Sequence, residues 1–415
     1  MNLTASEVFP QLETLIPSAR FNRVANALDS LFNKTLTQLD NGRPFIITGD
    51  IPAMWLRDST WQVAPLLHSN HPEVINLLIE LSKTQVQQFL IDPYANAFNP
   101  APNGNCWHKD FSDQSPWVFE RKFELDSLAS VLFLARKIIE KYDRWDHIDT
   151  SFQEALHLML TVARREQRHD PDSYIFKRNN GVAHDSLSHD GRGAPTTYTG
   201  MIYSAFRPSD DACTYGYLIP SNMFFLNELE QLPEKLKSSE SISIAADIHH
   251  GLQKYAVIDG RFAYEVDGLG SSLFIDDANI PSLLSLPFLG SVEISDSVYL
   301  TTREFILSKK NPYFFSGSKA TGIGSQHTPH NYVWPIALAV EALTAPSIER
   351  KLETLEILEN TDAGTGNMHE AFNVDNPEEF TRPWFSWADM MYVELVLDSV
   401  NYQSNLTLAT VIEPK

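Results

Sequence analysis

The run "FRPSDDACTYGYLIPSNMFF", from Phe206 to Phe225, sets two adjacent aspartates, Asp210 and Asp211, in an apolar and aromatic stretch. A buried carboxylate is costly unless it is paired or hydrogen-bonded. Two arrangements answer that cost: an Asx-turn with an ion pair to Arg207, or acid–base chemistry in a pocket. Neighbouring side chains diverge by about 100° on a helix and about 180° on a strand, so the two carboxyls do not aim at one bond. If one gives a proton, its partner comes from elsewhere in the chain. The segment "TDAGTGNMHEAFNVDNPEEFTRPWFSWADMMYVELV" offers Glu370, which follows His369 in a Gly-rich loop. Glu378 and Glu379 lie in a polar turn, and Glu394 falls mid-helix among apolar residues. Glycoside hydrolysis needs two carboxyl groups in different environments, and Asp210 with Glu370 would provide them.

Three further loops carry the polar and aromatic groups a sugar site needs. In "TGDIPAMWLRDSTWQVAPLL", Trp55 gives a flat apolar face for a pyranose, and Arg57 beside Asp58 gives donors and acceptors for adjacent hydroxyls. The same residues also suit a helix cap at Asp58 paired to Arg57. "YEVDGLGSSLFIDDANIPSLL" adds Asp276, Asp277 and Asn279, a run that fits a cap, a cation or hydroxyl recognition, without the spacing of a calcium loop. "NPYFFSGSKATGIGSQHTPHNYVWP" holds His327 and His330, three apart, with no obvious third metal ligand. Hydrogen bonding or loop packing is the expected role of these histidines.

The elements that hold these loops are helical. In "FELDSLASVLFLARKIIEKY", Leu125, Leu128, Leu132, Ala135 and Ile139 recur three or four apart, and "PEVINLLIELSKTQVQQFL" repeats the pattern. Similar periodicity predicts helices near 6–16, 20–39, 53–69, 149–166, 220–231, 243–256, 279–287, 296–308, 333–344, 348–359 and 384–400. Short β-elements are predicted at "YIFKR", "FAYEVDG" and "PFIIT". No linker, charge block or repeat divides the 415 residues, so a single all-α domain over 1–415 is expected. A formal net charge of -21, with no Lys/Arg cluster, argues against nucleic acid or an anionic membrane as partner. Cys106 and Cys213 make neither a disulfide scaffold nor a zinc motif. The N-terminus lacks a basic start followed by an apolar core, which predicts a cytoplasmic protein.

Read together, "TGDIPAMWLRDST", "DPYANAFN", "WVFERKFELDSL", "AFRPSDDACTYGYLIPSNMF", "DDANIPSLL", "NPYFFSG", "VWPIAL" and "GTGNMHEAF…TRPWFSWA" closely resemble glycoside hydrolase family 125, in the same order from about residue 40 to 400. The resemblance implies an exo-acting α-1,6-mannosidase on an (α/α)6 barrel, with long loops and minor β-elements around one mouth. It also implies inversion at the anomeric carbon, no metal or other cofactor, and an α-mannoside oligosaccharide or N-glycan as substrate. Carried onto matching positions, Asp210 is the general acid and Glu370 the general base. Trp55, Arg57 and Asp58 line the terminal mannose subsite, supported by Arg207, Asp211, Asp276, Asn279 and His327. On this reading the Asp210 pKa is raised by burial or by the neighbouring anion Asp211. Trp61 stands where the family more often has a smaller residue, and the stretch around "QLPEKLKSSES" looks shortened. Two alternatives remain: another sugar-cleaving enzyme on this barrel (a glucoamylase-like hydrolase or a phosphorylase), and a non-catalytic glycan-binding protein.

Overall fold

A helix that buries apolar residues on every side belongs inside a layered structure, and one with a single apolar stripe belongs on its outside. The computed structural model describes the chain except residues 1, 112, 171 and 413–415, and describes side chains to residue 401. In chain order the principal helices are α1 (Ser18–Ser30), α2 (Leu56–Val63), α3 (Pro72–Ile91), α4 (Leu125–Tyr142), α5 (Thr150–Glu166), α6 (Ile219–Glu230), α7 (Ser239–Tyr255), α8 (Ser297–Ile306), α9 (Pro335–Leu343), α10 (Ile348–Glu359) and α11 (Ser386–Ile412). Every residue of α2 is buried, as is every residue of α4 from Leu125 to Arg136. By contrast, α5 and α7 bury one face only.

The packing follows those patterns. An inner succession runs α9–α11–α2–α4–α6, each helix against the next. Beside α6, the turns of 281–290 bury Leu283, Leu284, Leu286 and Leu289 in the core. Asn227 of α6 donates to the Leu289 carbonyl at 3.1 Å and holds that segment in place. Outside, α1 lies on α11, α3 on α4, α7 on α6, and α10 on α9 and α11. This is the (α/α)6 architecture. One connected hydrophobic core runs from Ala5 to Leu397. Among the described residues no helix is long and apolar enough to cross a membrane.

Four predicted elements differ. The expected helix over 6–16 is two short ones, Ala5–Val8 and Leu12–Leu15, broken where Gln11 takes φ +74°. The expected helix over 20–39 ends earlier: a π-turn at Leu31–Thr35 leads into a strand, Leu36–Gln38, paired antiparallel with Pro44–Ile46. Residues 279–287 do not form a helix. Ser282 and Ser285 exchange side-chain and backbone hydrogen bonds there, and local bonding of this kind competes with the helical ladder. "YIFKR" is not a strand, because Phe176 N–H donates to the Gly191 carbonyl and Arg178 N–H to the Ser186 hydroxyl.

Trp61 sits at the heart of the inner layer. Its ring lies 4.9 Å from Phe133, 6.1 Å from Phe224 and 5.6 Å from Phe288, joining α2, α4, α6 and the 281–290 segment. Its bulk fills the space where these four elements meet. Trp61→Ala is expected to cost about 3–5 kcal/mol of stability, read as a lower midpoint in urea unfolding followed by circular dichroism.

Candidate active site

The inner helices begin at one mouth, and the site is built from their first residues. Trp55 is the N-cap of α2, Glu124 of α4 and Trp334 of α9, while Phe385 precedes α11. Short strands fix these entries: Met54–Trp55 pairs with Ala97–Phe98, which pairs with Val118–Glu120. Helix N-termini present unsatisfied N–H groups and favour negative charge, which suits a mouth crowded with carboxylates. Between them lies a cavity of about 460 Å³, within the range of small-ligand sites. Trp55, Arg57, Asp58, Asp210, Asn279, His327 and Glu370 all line it.

Asp210 projects from a tight turn. Its N–H donates to the Arg207 carbonyl at 2.9 Å, and Arg207 N–H returns to the Asp211 carbonyl at 2.8 Å. The turn requires φ +67° at Asp210, a left-handed conformation that aspartate tolerates better than most side chains. Lys122 Nζ donates to the Asp210 carbonyl oxygen at 2.7 Å. The turn divides the aspartates: the Asp210 side chain is 26% exposed and faces the cavity, whereas that of Asp211 is 1% exposed. Arg57 Nη2 stands 4.0 Å from Asp210 Oδ1, and Asn96 donates to the same oxygen at 3.4 Å.

Glu124 shares a cation with Asp210: the Arg57 guanidinium lies 2.5 Å from Glu124 and 4.0 Å from Asp210. Burial, joined by the Asp210 and Asp126 charges, pushes Glu124 well above the usual carboxylate range against the pull of Arg57. Against its own burial, Asp210 is held low by Lys122, Arg57 and His327. This corrects the expectation of a raised Asp210 beside an Asp211 anion. The raised member is Glu124, and Asp211 points elsewhere.

Asp211 accepts from His184 Nδ1 at 2.8 Å and from His327 Nδ1 at 3.3 Å. Despite burial, the two imidazoles lower it to about 2. His327 is raised to about 9: burial opposes its charge, but the Asp211 hydrogen bond and the charges of Glu370 and Asp210 prevail. At neutral pH it is therefore a cation between the two proposed acid–base groups. Glu370 opens the strand Ala371–Asn373, and Arg382 Nη1 lies 3.6 Å from its Oε1. Arg382 is itself anchored by Asp50 at 2.6 Å.

At the start of α2, Asp58 accepts from Thr48 at 2.7 Å, and its Oδ1 has no hydrogen-bond donor. It does not cap the helix. Trp55 Nε1 is likewise without a partner, and the ring packs edge-on to Phe119, which meets Trp107 on the rim. Asn279 donates to the Pro208 carbonyl at 2.8 Å and leaves its Oδ1 free. These unpaired polar atoms are what a ligand's hydroxyls would satisfy.

Three expected supporters do not reach the cavity. Arg207 is engaged with Glu265 at 2.6 Å, under the turn rather than in the site. Asp276 takes the N–H groups of Leu283 and Leu284 at 2.8 and 3.0 Å, so it shapes the turn segment; burial raises it to about 8. Asp211 acts through His327. His330 packs on Phe315, with ring centroids 4.8 Å apart. Sequence reasoning missed Glu124, Lys122, Glu120 and the rim residue Trp107. A signal was present in "FERKFELD": acidic and basic residues two apart, at 120, 122, 124 and 126, put charge on one face of an extended entry to a buried helix.

The family model described as metal-independent α-mannosidase (GH125) matches residues 18–397. A curated relative, the meiotically up-regulated gene 157 protein of Schizosaccharomyces pombe, is 37% identical, with 97% of this chain and 86% of that protein covered. Among solved structures, a Streptococcus pneumoniae protein from a family of metal-independent α-mannosidases, in a non-productive complex with α-1,6-mannobiose, is 38% identical. It superposes with a TM-score of 0.92 over 97% of this chain and all of that one. A bacterial glucoamylase bound to acarbose shares the fold at 11% identity and TM-score 0.57, over 94% of this chain and 56% of that one.

The Asp211–His327 contact carries a test by titration. The His327 share of stability is fully present below its unfolded pKa near 6.5 and is lost as pH rises through about 9. In Asp211→Asn, His327 is expected to titrate at least roughly one pH unit lower, read from imidazole NMR shifts; an unchanged titration would show that Asp211 does not hold its charge.

Proposed function

The chain belongs to the metal-independent α-mannosidases of glycoside hydrolase family 125, and from that premise we propose an exo-acting α-1,6-mannosidase that inverts the anomeric carbon. Its substrates would be α-1,6-linked mannosides or N-glycans with a terminal non-reducing mannose, handled by one catalytic domain spanning the chain. The carrying observation is that Asp210 and Glu370, from distant parts of the sequence, both line one 460 Å³ cavity while Asp211 is turned away. The α-1,6-mannobiose in the pneumococcal relative supports the linkage. Exo action is supported by the cavity itself: Arg57 and Asp58 are almost fully buried within it, whereas Trp107 is 57% exposed. A terminal ring would enter past Trp107 and stop at the start of α2.

In this mechanism Asp210 gives a proton to the departing O6 of the penultimate sugar. Glu370 takes a proton from the water that attacks C1 on the opposite face. Inversion needs room for that water, so carboxyl groups roughly 6.5–9.5 Å apart are expected. The unpaired Asp58 Oδ1 and Asn279 Oδ1 would accept from ring hydroxyls, and Arg57 would hold Asp58 in place at 3.6 Å. These contacts speed the reaction where they tighten as the ring flattens toward an oxocarbenium ion. Arg382, with Nη1 3.6 Å from Glu370 Oε1, would help fix the position of the base.

Asp210→Asn and Glu370→Gln are each expected to lower kcat on α-1,6-mannobiose by about 10²–10⁴-fold, with mannoside binding retained by calorimetry. Wild-type-like turnover in either variant removes that residue from the mechanism. Isomaltose, and α-1,6-mannobiose with added phosphate, are the comparison substrates: faster cleavage of isomaltose or a phosphate requirement would favour the glucoamylase-like or phosphorylase reading.

A further inference from the structure

Behind the cavity, acidic groups outnumber basic ones. Arg57, Lys122 and Arg178 are the buried cations, and around them stand Asp58, Asp110, Glu120, Glu124, Asp126, Asp185 and Asp210. Lys122 and Arg178 are engaged by Asp185 at 2.7 and 3.1 Å, by Glu120 at 3.8 and 3.0 Å, and, for Arg178, by Asp110 at 2.7 Å. Arg57 alone faces Glu124 at 2.5 Å, Asp126 at 3.1 Å, Asp58 at 3.6 Å and Asp210 at 4.0 Å. Arg57 does not neutralise four carboxylates, and the other cations that bear on Asp210 are shared, Lys122 with Glu120 and Asp185 and His327 with Asp211, so a proton is held among them.

The hydrogen bonds say where. Asp58 is served by Thr48, and Asp126 by Arg57 and by Ser221 at 3.3 Å. The two oxygens of Glu124 differ. Oε2 receives Arg57 and also Ser127, at 3.1 Å; Oε1 is buried and no protein group donates to it. A bare buried carboxylate oxygen on a group that shares its guanidinium with a second carboxyl is satisfied when a proton is held between the two.

We propose that Glu124 is a proton-holding positioning residue for the reaction, sharing one proton with Asp210 through Oε1 and returning it to Asp210 in each cycle. This rests on Asp210 being the acid proposed above. As the O6–C1 bond breaks, the one shared proton passes from Glu124 to Asp210 and on to O6, and both carboxyls are left ionised. Glu124 is left as a carboxylate against Arg57. The proton Glu370 has taken from water leaves to solvent, and one from solvent restores the couple, so no net proton is consumed. Glu124 lies behind Asp210 and does not line the cavity. The charged and titratable groups facing the couple are Arg57, Asp58, Lys122, Asp126, Cys213 and His327. The elevated Glu124 and depressed Asp210 agree in direction.

The sign follows. With both carboxyls present, one proton persists to high pH because its loss would leave two anions on one guanidinium. In Glu124→Gln, Asp210 stands alone before Arg57, Lys122 and His327 and gives up its proton at lower pH. The test compares pH profiles of kcat/KM for Glu124→Gln, Asp210→Asn and wild type. The substrates are α-1,6-mannobiose and α-mannosyl fluoride, whose leaving group departs without a proton. For Glu124→Gln the basic limb on mannobiose is expected to move to lower pH, with about 10–100-fold lower kcat/KM at pH 7, while fluoride cleavage stays within about threefold. An unmoved basic limb, or equal losses on both substrates, overturns the role of Glu124. If Asp210→Asn instead cleaves mannobiose normally, it is the assignment of the acid that fails. Glu124→Asp, which keeps a carboxyl, guards against a folding defect in the Gln variant. It is expected to retain the wild-type basic limb, and a limb displaced as in Glu124→Gln would also overturn the proposal.

Discussion

One guanidinium, that of Arg57, is buried at the N-terminus of an inner helix and shared by Asp58, Glu124, Asp126 and Asp210. Its position ties three inner helices to one point: α2 carries it, α4 supplies Glu124 and Asp126, and Ser221 of α6 donates to Asp126. The ring of Trp387, on α11, lies 5.8 Å from the guanidinium carbon. Removing such a charge would leave several buried anions unpaired, the costly direction for a buried ionic network. The barrel mouth therefore has its shape and its electrostatics from the same contacts.

That arrangement separates two neighbouring aspartates into different roles. The left-handed turn at Asp210 opens one carboxyl to the cavity and folds the next toward His184 and His327. Across the cavity, Glu370 sits near a charged His327 and Arg382. Asp210, with the elevated Glu124 on the same guanidinium, and Glu370, beside two cations, are in the unequal surroundings that acid–base hydrolysis asks for. The mechanism needs no further group to create the asymmetry, because the polypeptide supplies it.

Much of the site was legible in the sequence where chemistry and motif coincide, as at Asp210, Glu370, Trp55, Arg57 and Asp58. Periodicity also gave α4, since Leu125, Leu128, Leu132 and Ala135 recur three or four apart, while its burial on every side is set by the fold. What stayed hidden was which buried charges share a space. Arg207 is expected from the resemblance to support the mannose subsite, but its partner is Glu265, 58 residues away. Glu124 is marked in the sequence only by the two-apart charges of "FERKFELD", and a glutamate before a helix is an ordinary feature; only the fold sets it on the same guanidinium as Asp210. Residues 279–287 kept an apolar spacing that suggested a helix, and side-chain hydrogen bonds from Ser282, Ser285 and Asp276 overrode it. In each case the decisive contact is long-range or local to a turn, and neither leaves a period in the sequence.

The account stands on a proton-giving aspartic acid and a water-activating glutamate acting on opposite faces of one mannose ring. The most direct measurement is proton NMR of the mannose first released from an α-1,6-mannoside, recorded before mutarotation. The β-anomer as first product is expected. The α-anomer would mean that water does not attack opposite the departing sugar, and the assignment of Glu370 as its base would be wrong.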